Sequence, residues 1–318
     1  MSLAGDASDN RPLNLTIQGG SAQGTASALM EGLGEMIRRE FPGSSYTYEP
    51  ASGVGALSGV MADQFPVGMG GSIEIRAALK GEPPFPKAFP ADSFSIIARV
   101  ADQMLLYVLA REDYLREHGI ASLGDIAART IPLRVSIGQP GTLTIHRQAM
   151  ALLAAYGLTP DLIERQGGQV FSLAVGPSLD LLRNRKADLV ITVGFSPDSR
   201  VFELQSATPL RFVPLDAAVV DRLASTFGIE TSVIAAGAYP FLKQDYYTTS
   251  TGLLLVAGKS ADADLVRKLT QACYRQFDYL RGLHRLFAKY EVGMLPAAGP
   301  YPLHPAARAY YQEVGLLP

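Results

Sequence analysis

Three turns that combine glycine with hydroxyl side chains are the features of this sequence best suited to binding chemistry. They lie at residues 19–25, 50–55 and 138–144, and each follows a strand-like segment and opens a helical pattern. The first turn of a helix leaves backbone N–H groups without partners at the positive end of the helix dipole. Such groups bind a carboxylate or a phosphate without a charged side chain. The turns add hydroxyl donors at Ser21, Thr25, Ser52, Thr142 and Thr144.

A single turn of this kind is ordinary helix capping, so the binding prediction depends on the three turns meeting in one cleft. None is a P-loop, because no Gly-Lys-Ser/Thr triplet follows, and the first does not fit the dinucleotide-binding fingerprint. Arg76, Arg99 and Arg147 are candidate clamps for a carboxylate, since a guanidinium can bind it through two hydrogen bonds. The tyrosines that could line the same pocket are Tyr107, Tyr239 and Tyr247.

The sequence offers little for catalysis. It has neither a Gly-x-Ser-x-Gly elbow nor a His-Glu-x-x-His pair, and its four histidines are far apart. His304 is predicted to cap the last helix, and His146 lies in the first turn of the helix after the third glycine turn. The single cysteine, Cys273, lies in an apolar helical pattern and is predicted to be a buried structural thiol. We therefore expect no catalytic residue, no cofactor and no metal.

The composition limits the partners. With 28 basic and 30 acidic residues among 318, the net charge of −2 gives no basic surface for nucleic acid, and none is predicted. No apolar run approaches the ~18–20 residues of a membrane span. The start of the chain has no basic segment followed by an apolar one, so we expect either a cytoplasmic protein or one whose leader has been removed.

The order of predicted elements indicates an α/β protein, because strands repeatedly feed small-residue turns that open helices. The length favours two lobes with a ligand cleft between them. We predict a discontinuous first lobe at residues 10–105 and 251–318 and a second lobe at 106–250, with hinges near 105–107 and 250–253. Two separate strands are expected at 94–100 and 104–110, and single closing helices at 263–283 and 305–314.

Several segments together resemble the TAXI family, the solute-binding proteins of certain tripartite ATP-independent periplasmic (TRAP) transporters. They are Leu-Thr-Ile with Gly-Thr at 15–25, Val-Ser-Ile-Gly-Gln-Pro-Gly-Thr-Leu-Thr at 135–144, Ala-Asp-Leu-Val-Ile at 187–191, Ala-Tyr-Pro at 238–240, and Leu-His-Pro to Tyr-Tyr-Gln-Glu-Val-Gly at 303–315. The resemblance implies a two-lobed type II periplasmic-binding-protein fold, with a mixed sheet flanked by helices in each lobe. It also implies a periplasmic protein that delivers a small carboxylate (an amino acid, oxoacid or dicarboxylate) to a TRAP permease without catalysis. We expect a monomer.

The resemblance and the turns together give a predicted binding set. Its members are Gly20, Ser21, Gly24, Thr25, Ser52, Gly53, Val54, Ser72, Tyr107, Gly141, Thr142, Leu143, Thr144, Arg147, Tyr239 and Thr249.

This sequence departs from the family pattern in all three turns. Ala26 and Ser27 stand where the family has two tyrosines, and Val54 and Leu57 replace polar residues of the second turn. The third turn reads Gly-Thr-Leu-Thr-Ile in place of Gly-Ser-Gly-Thr-Glu. We therefore expect a wider, more apolar pocket and a carboxylate other than glutamate. Two alternatives stay open at this point: a receptor module for a signalling partner, and an enzyme on the same fold that uses His146 or Arg147.

Overall fold

Ten strands and thirteen α-helices make up the part of the chain that the computed structural model describes, residues 11–19 and 25–318. The strands are β1 Asn14–Gln18, β2 Ser45–Glu49, β3 Val67–Gly71, β4 Phe94–Arg111, β5 Arg134–Gly138, β6 Gln169–Leu173, β7 Leu189–Gly194, β8 Leu210–Phe212, β9 Glu230–Ile234 and β10 Tyr246–Gly258. The helices are α1 Thr25–Glu40, α2 Gly53–Met61, α3 Ser72–Lys80, α4 Glu112–Glu117, α5 Leu123–Ala128, α6 Leu143–Ala155, α7 Pro160–Arg165, α8 Val175–Arg183, α9 Ser199–Ala207, α10 Ala217–Phe227, α11 Ala263–Arg275, α12 Phe277–Gly282 and α13 Pro305–Glu313. Two short 3-10 helices, Arg285–Lys289 and Val292–Met294, precede α13.

The strands form one mixed sheet, which confirms the predicted α/β class. Eight of them follow the order β2-β1-β3-β10-β4-β7-β5-β6, while β8 pairs with β4 and β9 with β10. The strand pairs at the two ends of this order are parallel, and the long strands β4 and β10 run antiparallel to their neighbours. We call the part built on β1, β2 and β3 the first half of the sheet, and the part built on β5, β6 and β7 the second half.

Each half buries its own hydrophobic cores. In the first half α1, α11 and α13 cover one face of the sheet around Ile17 and Tyr311, and α2 and α3 cover the other around Leu57 and Ile75. The second half has a separate pair of cores. The predicted lobe boundaries at residues 105–106 and 250–251 fall within β4 and β10, the two strands that both halves share.

Two expected elements differ in the structure. The two strands predicted at 94–100 and 104–110 are one strand, β4, because its pairing with β10 continues from Phe94 opposite Gly258 to Leu105 opposite Ser250. Gln103 has a positive φ of 56°, and this local distortion accounts for the break in the apolar pattern. The single helix predicted at 263–283 is α11 followed by α12, which break at Gln276.

Two predictions about the closing helices are confirmed in the structure, one about a helix cap and one about the single cysteine. The ring of His304 accepts a hydrogen bond from the backbone N–H of Ala306, which confirms the predicted cap of α13. Cys273 is fully buried, also as predicted, and burial raises the pKa of its thiol to about 12.

Within residues 11–19 and 25–318, no helix combines the length and apolarity that crossing a bilayer requires.

A buried carboxylate joins three strands of the second half. Asp188, 3% exposed, lies just before β7 and accepts hydrogen bonds from Arg111 at the end of β4 and from Arg134 at the start of β5. The nitrogen–oxygen distances are 2.9 Å to Arg111 and 2.6–3.0 Å to the Arg134 side chain. A buried carboxylate needs such pairing, because an unpaired buried charge is strongly destabilising.

Candidate functional site

A cavity of about 80 Å³ lies between the two halves of the sheet, and we call it the central cavity. Its lining consists of small and apolar residues with one acidic side chain, and no Lys, Arg or His of the described chain belongs to it. The lining residues are Ala26, Gly53, Met69, Gly70, Gly71, Glu74, Met104, Thr142, Thr144, Ile145, Val175, Val193, Thr251, Gly252 and Leu253. Elements that begin with the predicted turns therefore meet at one cavity, as a binding site requires.

The acidic side chain is Glu74, in the first turn of α3, and it reaches across the cleft. Oε1 of Glu74 accepts a hydrogen bond of 2.7 Å from the backbone N–H of Thr144, and Oε2 accepts one of 2.6 Å from the Thr144 hydroxyl. Glu74 is 4% exposed and Thr144, in the first turn of α6, is 8% exposed. The N-terminus of α6 thus binds a carboxylate that belongs to the chain itself.

The second and third turns contact each other beside this pair. Ser52 caps α2 by accepting a 3.0 Å hydrogen bond from the backbone N–H of Gly55, and the N–H of Val54 donates to the carbonyl of Gly141 at 3.4 Å. Leu143 is 2% exposed and packs into the core around α2 and α3. The start of α6 is therefore bound to the first half of the sheet through backbone and apolar contacts as well as through Glu74.

A second charged link joins the loop after α3 to α6. The guanidinium of Arg147 forms a short ion pair with Glu82, and Arg147 Nη2 donates to the carbonyl of Pro83 at 2.8 Å. This hydrogen bond with Arg147 holds the pKa of Glu82 below its usual range. Arg147 thus binds a carboxylate, but one belonging to the chain, and its side chain does not line the central cavity.

The predicted tyrosines lie away from the central cavity. Tyr107 and Tyr239 are buried in a core of the second half, at 1% and 0% exposure, and both contact Asp198. The hydroxyl of Tyr107 donates to Asp198 Oδ2 at 3.1 Å, and that of Tyr239 accepts from the Asp198 N–H at 2.8 Å. Burial raises the pKa of Tyr239 to about 12. Tyr247 donates instead to Asp221 near the surface.

Asp198 lines a second, larger cavity of about 410 Å³, whose other walls come from α1 and from the segment 283–287 that follows α12. Its carboxylate accepts hydrogen bonds from the backbone and the guanidinium of Arg200, and His284 also lines this cavity. Burial lowers the pKa of His284. The two buried tyrosines position Asp198 at this cavity, so their role in the described structure is to hold a loop.

Other predicted residues have structural partners. The hydroxyl of Thr249 donates to Gln148 at 2.6 Å inside the second half, and the carbonyl of Ser72 accepts from Tyr301. Arg99 contacts Asp102 at 3.4 Å. Neither Thr249 nor Ser72 lines the central cavity.

Part of the first turn is not described. Gly20, Ser21 and Gly24 lie outside the described residues, as does the side chain of Thr25, whose backbone begins α1. The next residue, Ala26, lines the central cavity.

The four histidines provide no metal site. In the part of the chain covered by residues 11–19 and 25–318, no group of three or more His, Cys, Asp or Glu residues is placed to hold a metal ion. His146, which the sequence placed near the cleft, contacts the carbonyl of Gly138 through Nδ1 at 2.6 Å.

Sequence reasoning missed Glu74, Met69 and Met104. The signal for Glu74 is an acidic residue in the first turn of a helix that follows a buried glycine-rich strand, in the segment Val67 to Glu74. That strand-to-helix unit also brings Gly71 to the cavity. A methyl group on Gly71 would lie 2.8 Å from Glu74 Oε2 and 3.2 Å from Thr144 Oγ1, so only glycine leaves room for their contact.

The chain matches one protein family and resembles several solved structures. The NMT1-like family matches residues 17–315. Solved structures of similar fold include MatC from Rhodopseudomonas palustris with bound malate (TM-score 0.59, 16% identity, covering 96% of this chain and 97% of that one) and the periplasmic binding protein BugD (0.57, 15%, 96% and 94%). PhnD1 from Prochlorococcus marinus in complex with methylphosphonate is also similar (0.54, 10%, 97% and 100%). At these identities the likeness shows the fold, which is of the periplasmic-binding-protein type.

Proposed function

The chain belongs to the NMT1-like family, and we propose that it is an extracytoplasmic solute-binding protein that encloses a small solute between two hinged lobes. The observation that carries this proposal is the central cavity, whose walls come from both halves of the sheet. Gly53 and Glu74 face it from the first half, and Thr144 and Ile145 from the second. The similar folds of periplasmic binding proteins support the same role.

Hinge closure is the proposed mechanism, with lobes at residues 10–105 plus 251–318 and at 106–250. A solute that touches one lobe in the open form and both in the closed form favours closure by its differential affinity. The proposed hinges lie in β4 and β10, the strands shared by both halves. The pairing of these two strands shifts register between Thr251 and Leu253 and again between Leu253 and Leu254, which supports bending there.

A TRAP-type membrane permease is the proposed recipient of the solute. The support is the resemblance of the segments at 135–144 and 303–315 to TAXI proteins. A monomer that presents its closed surface to the permease is sufficient for this role, and nucleic acid has no part in it. The solute is released chemically unchanged, because the proposed site binds it through hydrogen bonds and apolar contacts and has no catalytic group.

The proposed solute carries a carboxylate, as an amino acid, oxoacid or dicarboxylate does. The support is the binding of a carboxylate by the N-terminus of α6, seen here with Glu74. The apolar lining by Met69, Met104 and Leu253 favours a solute with a small apolar body.

Solute binding is tested directly with purified protein. Native mass spectrometry identifies a co-purified small molecule, and thermal-shift screening of a metabolite panel identifies others. Gly71→Ala is the test variant, because its methyl group would crowd Glu74 and Thr144, and Gly282→Ala is the control, because nothing lies within 4 Å of that position. We expect Gly71→Ala to weaken binding at least tenfold and Gly282→Ala to leave it unchanged. Absence of binding across the whole panel, or equal binding by both variants, would contradict the proposal.

A further inference from the structure

The buried carboxylate of Glu74 has no cationic partner. Its two hydrogen bonds come from the backbone and hydroxyl of Thr144, and no Lys, Arg or His in the described chain forms an ion pair with it. The dipole of α6 compensates part of the charge. A buried charge is otherwise paired with an opposite charge, because removing an ion from water is costly.

Glu74 also retains capacity for further hydrogen bonds on the cavity side. A carboxylate has about four acceptor positions, and Thr144 fills two of them. Glu74 lines the central cavity directly, and its neighbours there are Gly53, Gly71 and apolar side chains. The cavity therefore offers one negatively charged hydrogen-bond acceptor, and its other polar side chains are the neutral Thr142, Thr144 and Thr251.

We propose that Glu74 determines the specificity of the site by pairing with an ammonium group of the solute. This inference rests on the proposed function and narrows it. A solute whose only charge is negative would place a second anion beside Glu74, and like charges at such distances disfavour each other. Among the proposed carboxylate solutes, amino acids satisfy the requirement, whereas oxoacids and dicarboxylates without an amine do not.

The volume of the central cavity limits the size of this solute. An apolar cavity of about 150 Å³ in another protein binds benzene, and the central cavity has about half that volume, so we expect a compact solute whose aliphatic group is short. The apolar side chains of Met69, Ile145 and Val193 line it. The ammonium faces Glu74 and a short aliphatic group contacts this apolar wall.

The test compares four solutes with the same propyl body: propylamine, butyrate, norvaline and 1-propanol. Isothermal titration calorimetry measures each with the unaltered chain, with Glu74→Gln and with Glu74→Asp. Glutamine keeps the shape and can still accept from Thr144 but lacks the charge, and aspartate keeps the charge. Circular dichroism and thermal unfolding confirm that each variant is folded.

We expect propylamine or norvaline to bind at least tenfold more tightly than butyrate and 1-propanol. Glu74→Gln should lose at least tenfold in affinity for the ammonium compounds, and Glu74→Asp should retain most of it. The inference is overturned if butyrate binds most tightly, or if Glu74→Gln binds the ammonium compounds as well as the unaltered chain does. Failure of all four, together with failure of every compound in the wider metabolite panel, would instead overturn the proposed function.

Discussion

Replacing Thr144 with valine should shift the protein toward its open form. Valine keeps the backbone N–H that donates to Glu74 Oε1 and removes the hydroxyl that donates to Oε2 at 2.6 Å. A hydrogen bond to a charged group contributes about 1.5–3 kcal/mol net. Because this bond joins the two halves of the sheet, its loss should lower the ratio of closed to open molecules by about 10- to 150-fold, at about 1.4 kcal/mol per tenfold.

Electron paramagnetic resonance distances between two spin labels measure this ratio. Labels at Glu164→Cys in α7 and Asp278→Cys in α12 report on the separation of the halves, since both positions are exposed. The native Cys273 is fully buried and does not compete for the label. The measurement requires no solute, so it tests the contact itself.

Thr142→Val is the matched control for this experiment. It removes a hydroxyl two residues earlier that donates to no residue in the described part of the chain. We expect the control to retain the short label-to-label distance and Thr144→Val to show a longer one. Identical distance distributions for the two variants would refute the view that the Glu74 contact holds the halves together.

Two further predictions concern charged pairs. Acid should favour opening, because the ion pair with Arg147 lowers the pKa of Glu82 in the folded protein. The pair stabilises the closed form fully above the ordinary glutamate pKa of about 4.3, and this stabilisation is lost as the pH falls through the lowered pKa of Glu82. The same label distances are measured from pH 6 to pH 3. We expect the acid response to be absent in Glu82→Gln and present in the exposed control Glu117→Gln. An equal response in both variants would contradict the assignment to Glu82. Asp188→Ala should lower the free energy of unfolding by about 3–5 kcal/mol, since it removes the hydrogen-bonded carboxylate from the buried Arg111, which keeps only a 3.7 Å ion pair with Asp113. Urea titration showing a loss below 1 kcal/mol would contradict this.

The parts of the fold predicted well are those where local pattern and tertiary environment agree. The closing helix predicted at 305–314 is α13, Pro305–Glu313, because His304 caps it and Pro305 stands in its first turn. The single strand at 94–111 is not predictable from the sequence alone. Gln103 interrupts the apolar pattern there, but pairing with β10 keeps the strand extended. Only the partner strand makes that continuity visible.

The central part of the site depended on contacts that no local pattern reveals. Strand β3 reads Val-Gly-Met-Gly-Gly, which lacks the alternation of an ordinary strand, because its glycines make room for neighbours. A methyl group on Gly70 would lie 2.7 Å from the side chain of Leu57. Glu74 and Thr144 are 70 residues apart, and their contact follows from the approach of α3 to α6. The local sequence predicts that Thr144 is a hydrogen-bond donor, but it does not reveal that the group Thr144 binds is the carboxylate of Glu74.

The predicted tyrosines illustrate a different difficulty. Residue type suggested that Tyr107 and Tyr239 could stack against a solute or hydrogen-bond to it. Both side chains are buried and bind Asp198, so their aromatic area stabilises a core of the second half. With fourteen tyrosines in the chain, residue type alone cannot separate a pocket wall from a buried support.

A crystal structure of the protein with the solute identified by native mass spectrometry or by the panel tests the central claim most directly. We expect electron density for the solute in the central cavity, in contact with Glu74 from the first half of the sheet and with residues at the start of α6 from the second. Density for the solute at any other place, with the central cavity unchanged, would contradict it.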